Sequence, residues 1–131
     1  MSEIIFVRHG QASFGEKSYD KLSELGVNQV RHLASYWKGL GETFDQLYSG
    51  SLLRQKETAN ELIALTKGDS PGIQIDDSFN EYNGDSLIRI YLRDHADLQS
   101  SYSSVDMPIK DERLFQQIFE KATSKWIKNS L

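Results

Sequence analysis

The sequence predicts an α/β fold: a mostly parallel sheet with helices on both faces, in three layers, as a single domain over residues 1–131. Three observations predict it. Strand-like and helix-like segments alternate along the chain, which implies crossover connections and parallel pairing. The first strand-like run is continuously apolar, as in sheets covered on both sides. The 131 residues, 38% hydrophobic and 26% charged with both signs interspersed, suit one soluble globular core.

The elements follow in order. Ile4, Ile5, Phe6 and Val7 form the first predicted strand. After a loop with Ser13, Gly15 and Ser18, Ser23 can cap a helix that carries Val27, Val30, Leu33, Ala34, Trp37 and Leu40 on one face and stops at Gly39 and Gly41. "FDQLYSGS" reads as a second short strand, and "SLLRQKETANELIALTKG" as a helix with Ala59, Leu62, Ile63 and Thr66 turned inward. "GIQID" is a third strand and "DSLIRIYLRDHADL" a helix, followed by the polar loop "SSYSSVDMPIK". From about Asp111, Phe115, Ile118, Phe119, Ala122 and Trp126 recur at helical spacing, so a last helix should pack on the sheet.

Composition narrows the function. A formal net charge of -4 leaves no basic field for a polynucleotide, so nucleic acid is not an expected partner. The chain has no cysteine, which removes disulfides, thiolate metal sites and cysteine catalysis. The start "MSEIIFVRHG" is too short and too polar for a signal peptide, and no segment is long and apolar enough to span a bilayer. The expectation is a cytoplasmic protein without a membrane partner.

In such folds functional groups gather at the carboxyl ends of the strands. Arg8 and His9 end the first predicted strand, Ser49, Gly50 and Ser51 end the second just before Arg54, and Glu81 follows the third. One crevice could hold all three clusters. Two arginines offer forked donors that match phosphate oxygens, and their charge disfavours an imidazolium, leaving His9 neutral and nucleophilic. Attack by a neutral imidazole on phosphorus would give a phosphohistidine, with the cations stabilising the transferring group. Glu81, partly desolvated beside a bound phosphate, should have a raised pKa and serve as general acid. Gly10 lets the backbone approach an anion, and the helix start after Ser51 offers a positive dipole end. Each segment alone has a plainer reading: a solvated loop histidine, an ordinary helix arginine, a surface carboxylate. Their joint order after three successive strands is what points to one site.

"RHG" at residues 8 to 10, "LSELG" at 22 to 26, "SGSLLRQKETA" at 49 to 59 and "FNEYNG" at 79 to 84 resemble, in order, the motifs of the histidine phosphatase superfamily in its phosphoglycerate mutase-like branch. The resemblance implies a phosphorylated His9, phosphate-binding Arg8 and Arg54, a proton-donating Glu81, a small phosphorylated substrate, and no metal or other cofactor. There are two departures. Where many relatives carry an asparagine after the first motif as a phosphate ligand, this chain has Gly15, with Gln11 and Ser13 as the nearby polar candidates. The family also has a second histidine after a late strand, and the chain stops before reaching it. Of the other histidines, His32 lies off the apolar face of the first helix, and His95 sits among charged residues with no strand before it.

The missing strand belongs, by the resemblance, between the strands matching the first and second here. Its absence would leave two unpaired inner edges, so either the first and second strands close up, or further sequence of the gene supplies the strand, or a homo-oligomer exchanges one, the option that keeps the edges satisfied. Two functions are therefore expected of the chain. One is a phosphomonoester phosphatase or phosphomutase working through a phosphohistidine, with activity impaired by the truncation. The alternative is a non-catalytic remnant that binds a phosphorylated ligand or a protein in the same crevice. The absence of "GxxxxGK[ST]" and of a Gly-x-Gly-x-x-Gly step argues against a nucleotide-binding module.

Overall fold

A computed structural model describes residues 2–94 and 111–128. The chain divides into two compact units, Met1–Phe14 with Ser18–Glu81, and Gly15–Lys17 with Tyr82–Leu131.

In the first unit, Ser23 caps the helix α1, Glu24–Gly39, its hydroxyl accepting from the Gly26 amide at 3.0 Å. This satisfies one of the orphan donors of the first turn. The strand β1, Leu47–Ser49, leads through Gly50 and Ser51 into helix α2, Leu53–Leu62, which tightens into a 3-10 turn over Ile63–Leu65. The strand β2, Ile73–Ile75, returns parallel to β1 with Leu47 opposite Ile73 and Ser49 opposite Ile75. A parallel return needs a crossover, and α2 supplies it. Leu22, Val30, Leu62 and Leu65 form the buried core of this unit, with Trp37 edge-on to Phe44 at 5.3 Å between ring centres. The α/β character and the parallel pairing of the second and third predicted strands agree with the sequence reading.

The first predicted strand does not form. Residues 4–7 join no ladder, and the sheet of the described residues contains β1 and β2 alone. Ile4 is 79% and Phe6 86% exposed, the reverse of a doubly covered strand. The physical reason is pairing: an apolar, β-prone run becomes a strand only when neighbouring backbone takes its N–H and C=O groups. Here a cavity of about 340 Å³ opens beside the run, walled by Ile4 and Phe6 and by Leu47 and Tyr48 of β1.

In the second unit, helix α3, Gly84–Asp94, and helix α4, Glu112–Ile127, pack on each other. Asp111 caps α4 by accepting from the Leu114 amide at 2.9 Å. Leu87, Ile88, Tyr91 and Leu92 meet Ile118 and Ala122 in the core, with Ile88 and Ala122 fully buried. The apolar spacing of α4 was read as a face for the sheet; the partner observed for it is α3. His95 lies outside the described residues, as does the polar loop after it. No helix among the described residues is long and apolar enough to cross a membrane.

Candidate active site

The site is assembled from three chain segments pinned together by small residues and side-chain caps. Gly10 and Gly26 form the first pin: a Cβ at Gly10 would collide with the Gly26 carbonyl, and a Cβ at Gly26 with the backbone of Gln11. Only two glycines let the "RHG" step lie this close to the first turn of α1. Thr58 is the second pin. Its buried hydroxyl accepts from the Gly10 amide at 3.1 Å and donates to the Arg54 carbonyl at 2.8 Å, tying the segment before α1 to α2. Asn80 is the third. Its Oδ1 accepts from the Ser51 amide at 2.7 Å and its Nδ2 donates to Ser51 Oγ at 2.9 Å, while Gln55 Nε2 donates to the Phe79 carbonyl at 2.8 Å. These bonds carry Glu81 to the start of α2.

Together the pins bring His9, Arg54 and Glu81 to one point. Glu81 Oε2 accepts from Arg54 Nη2 at 2.9 Å and Nε at 3.3 Å, and lies 3.1 Å from His9 Nε2. The other ring nitrogen, Nδ1, is 2.6 Å from the Gly10 carbonyl. A carbonyl can only accept, so Nδ1 carries a hydrogen and Nε2 is the ring nitrogen available for chemistry. His9 and Arg54 keep 14% of their side-chain surface exposed, whereas Glu81 is half-exposed. Arg54 Nη1 donates to Asp20 Oδ1 at 2.5 Å, so the guanidinium is held between two carboxylates.

Electrostatics differ from the sequence expectation at Glu81. Partial burial pushes its carboxyl up, but the hydrogen bond from Arg54, then that from His9, and the charges of both outweigh burial and hold it below the ordinary carboxylate value. The raised value was argued for a carboxyl beside a bound phosphate; with Arg54 paired to it instead, the ionised form is favoured. Asp20 behaves in the same way. Burial raises it, and the Leu53 amide and Arg54 together bring it below its usual value.

The remaining expected residues fall as follows. Arg8 is exposed and lines the 340 Å³ cavity together with His9 and Glu81. The Gln11 amide donates to Gln29 Oε1 at 3.0 Å, and its carbonyl accepts from the Ser23 amide at 2.9 Å and the Ser23 hydroxyl at 3.0 Å. Ser13 is buried, its amide bonded to the Lys21 carbonyl at 2.9 Å. Neither is brought to the His9–Arg54–Glu81 cluster. His32 is exposed on α1. The start of α2, expected to offer a positive dipole end to an anion, has its Ser51 and Leu53 amides bonded to Asn80 and Asp20. Asp20, Thr58 and Asn80 were missed by sequence reasoning. Thr58 had a signal, since it lies four residues after Arg54 and so on the same helix face; Asp20 and Asn80 had none beyond lying inside or beside the motifs.

Comparison with known proteins gives the family. Residues 4–102 match the family model of the histidine phosphatase superfamily (branch 1). A 2,3-bisphosphoglycerate-dependent phosphoglycerate mutase of Rhizobium etli is 33% identical over 75 residues, a stretch covering 53% of this chain and 36% of that mutase. The match thus spans little more than a third of the relative's length. Three segments that each looked ordinary converge on one imidazole, one guanidinium and one carboxylate within a region the family model covers, and the chain belongs to the histidine phosphatase superfamily (branch 1).

Proposed function

We propose that the chain acts on small phosphomonoesters as a phosphatase or phosphomutase, with His9 as nucleophile. The observation that carries this is the shared oxygen: Glu81 Oε2 sits within hydrogen-bonding reach of both the Arg54 fork and His9 Nε2. A phosphate oxygen in that place would be gripped by the guanidinium with phosphorus next to Nε2, the near-attack geometry a displacement needs. Glu81 must then swing aside, and it takes with it the hydrogen that lies between its carboxylate and Nε2.

The steps balance. With Nδ1–H fixed on the Gly10 carbonyl, the Nε2 lone pair attacks phosphorus and the ester P–O bond breaks. Protonated Glu81 delivers its hydrogen to the departing alkoxide, and its carboxylate later takes one from the water that cleaves the N–P bond. Arg54, and Arg8 from the cavity wall, stabilise charge on the equatorial oxygens throughout. Transfer of the phosphoryl group back to an alcohol in place of water would make the same chemistry a mutase reaction. Rapid quenching of the chain with a labelled aryl phosphate should trap acid-labile phosphate on His9; no label above that of His9→Ala would overturn the catalytic reading.

A second reading, a non-catalytic binder of phosphorylated ligands, is favoured by one observation: Arg54 is already flanked by two carboxylates, which weakens its hold on an incoming anion. Phosphate binding without turnover of an aryl phosphate would select it.

A further inference from the structure

Arg54 divides its donors between two carboxylates along different edges. Nε and Nη2 meet Glu81 Oε2, while Nη1 meets Asp20 Oδ1. The second oxygen of Asp20, Oδ2, accepts from the Leu53 amide at 2.9 Å. Leu53 opens α2, and the residue before it, Leu52, has no side chain that can cap. One carboxylate therefore completes the helix start from a distance and grips the guanidinium of the next residue.

Asp20 is itself held. It lies at the end of a loop closed by the antiparallel bridge of Ala12 with Leu22 and by the Ser13 amide on the Lys21 carbonyl at 2.9 Å. The Leu22 amide, two residues on, donates to Glu57 Oε2 of α2 at 2.6 Å. Asp20 meets neither His9 nor the cavity that Arg8, His9 and Glu81 line.

We propose that Asp20 is a positioning residue: by fixing Nη1 it keeps the Nε and Nη2 edge of Arg54 turned toward His9, so that an incoming phosphoryl group meets two donors in place. An arginine has many rotamers, and holding one of its ends on an anchored carboxylate removes most of that freedom before the ligand arrives. Without Asp20, the guanidinium can rotate to offer two nitrogens to the two oxygens of Glu81, a bidentate pair that a phosphate must then break. This inference rests on the phosphate reading of the site. Its sign is opposite to that of bulk electrostatics, because removing a negative charge next to a phosphate site should by Coulomb attraction alone tighten the anion.

The test is calorimetric titration of inorganic phosphate into the full chain and into Asp20→Asn, whose amide oxygen can still accept from Leu53. Phosphate affinity should fall roughly tenfold, within the range for hydrogen bonds to charged groups, and Asp20→Glu should restore part of it. Unchanged or tighter phosphate in Asp20→Asn overturns the proposal, as does a fall in thermal midpoint with affinity intact. The Arg54 Nε–H signal in NMR separates this from the function itself. It should exchange slowly in the native chain and rapidly in Asp20→Asn, and equal exchange in both overturns the positioning role. Arg54→Ala provides the other arm: if phosphate binds it as well as the native chain, the phosphate reading fails, while the exchange result still decides for or against Asp20 as the anchor of Arg54.

Discussion

Glu81 and Arg54 are joined along the Nε–Nη2 edge of the guanidinium. Glu81 Oε2 accepts from Nη2 at 2.9 Å and from Nε at 3.3 Å, which on the proposed function is the place of a phosphate oxygen. On the proposed reading, Glu81 competes with the substrate in the free site and donates the proton in the reaction.

This dual role predicts opposite effects of one substitution. Glu81→Gln removes the competing charge and should bind inorganic phosphate more tightly than the native chain. The same variant should lose turnover of alkyl phosphates by about a hundredfold to ten-thousandfold, the usual worth of a general acid. Aryl phosphates, whose leaving groups need less help, should lose far less. Equal losses for both substrates would show that Glu81 does not protonate the leaving group.

A second prediction concerns protons. The Glu81 carboxyl is held low because Arg54 and His9 bond to it. An anion that takes over Arg54 removes the lowering partner and adds a like charge, and both changes raise the carboxyl. Binding should therefore be accompanied by proton uptake at pH values between those at which the free and the bound carboxyl titrate. Sulfate, which does not titrate there, is the probe; calorimetry in two buffers of different ionisation heat measures the uptake. His9 and Arg54 are the side chains that bond to Glu81, and Glu81→Gln should abolish the portion due to the carboxyl. Proton release on sulfate binding would contradict the account.

The glycine contact predicts a loss of stability together with a displaced site. Gly26→Ala places a methyl group against the Gln11 backbone, which has no flexible end to yield. Overpacking of this kind costs about 1–3 kcal/mol. Urea unfolding should show the loss, and turnover per folded molecule should also fall, because the same shift displaces the "RHG" step.

A fourth prediction comes from residues whose sequence and environment disagree. Ile4→Ser with Phe6→Ser, in a run that reads as core, should change stability by no more than about 0.5 kcal/mol, since both side chains face water. Ile88→Ala should cost about 2–5 kcal/mol, since Ile88 is fully buried between α3 and α4. A large loss for the first pair, read in the same urea experiment, would mean that these residues are covered in solution.

Much of this was legible in the residues. Ser23 announced α1 because a capping hydroxyl before an apolar stripe is a local signal, and the helical spacing of Phe115, Ile118, Phe119, Ala122 and Trp126 announced α4. His9, Arg54 and Glu81 could be singled out because each follows a predicted strand, although the first of those strands does not form. Residues 4–7 show why: strand formation depends on a neighbour, and no run of side chains states whether the neighbour is present. Asp20 was illegible for a related reason. Its role comes from a hydrogen bond to an amide 33 positions away and an ion pair with the next residue, a juxtaposition that exists only after the loop and α2 have met.

The most direct measurement is a crystal structure of the full chain soaked with orthovanadate, which stands in for the phosphoryl group in transfer. The account predicts vanadium bonded to His9 Nε2, an equatorial oxygen on Arg54 Nη2 in place of Glu81 Oε2, and the Glu81 carboxyl turned toward the apical oxygen. Vanadate bound elsewhere, with the His9–Glu81 and Arg54–Glu81 contacts intact, would contradict it.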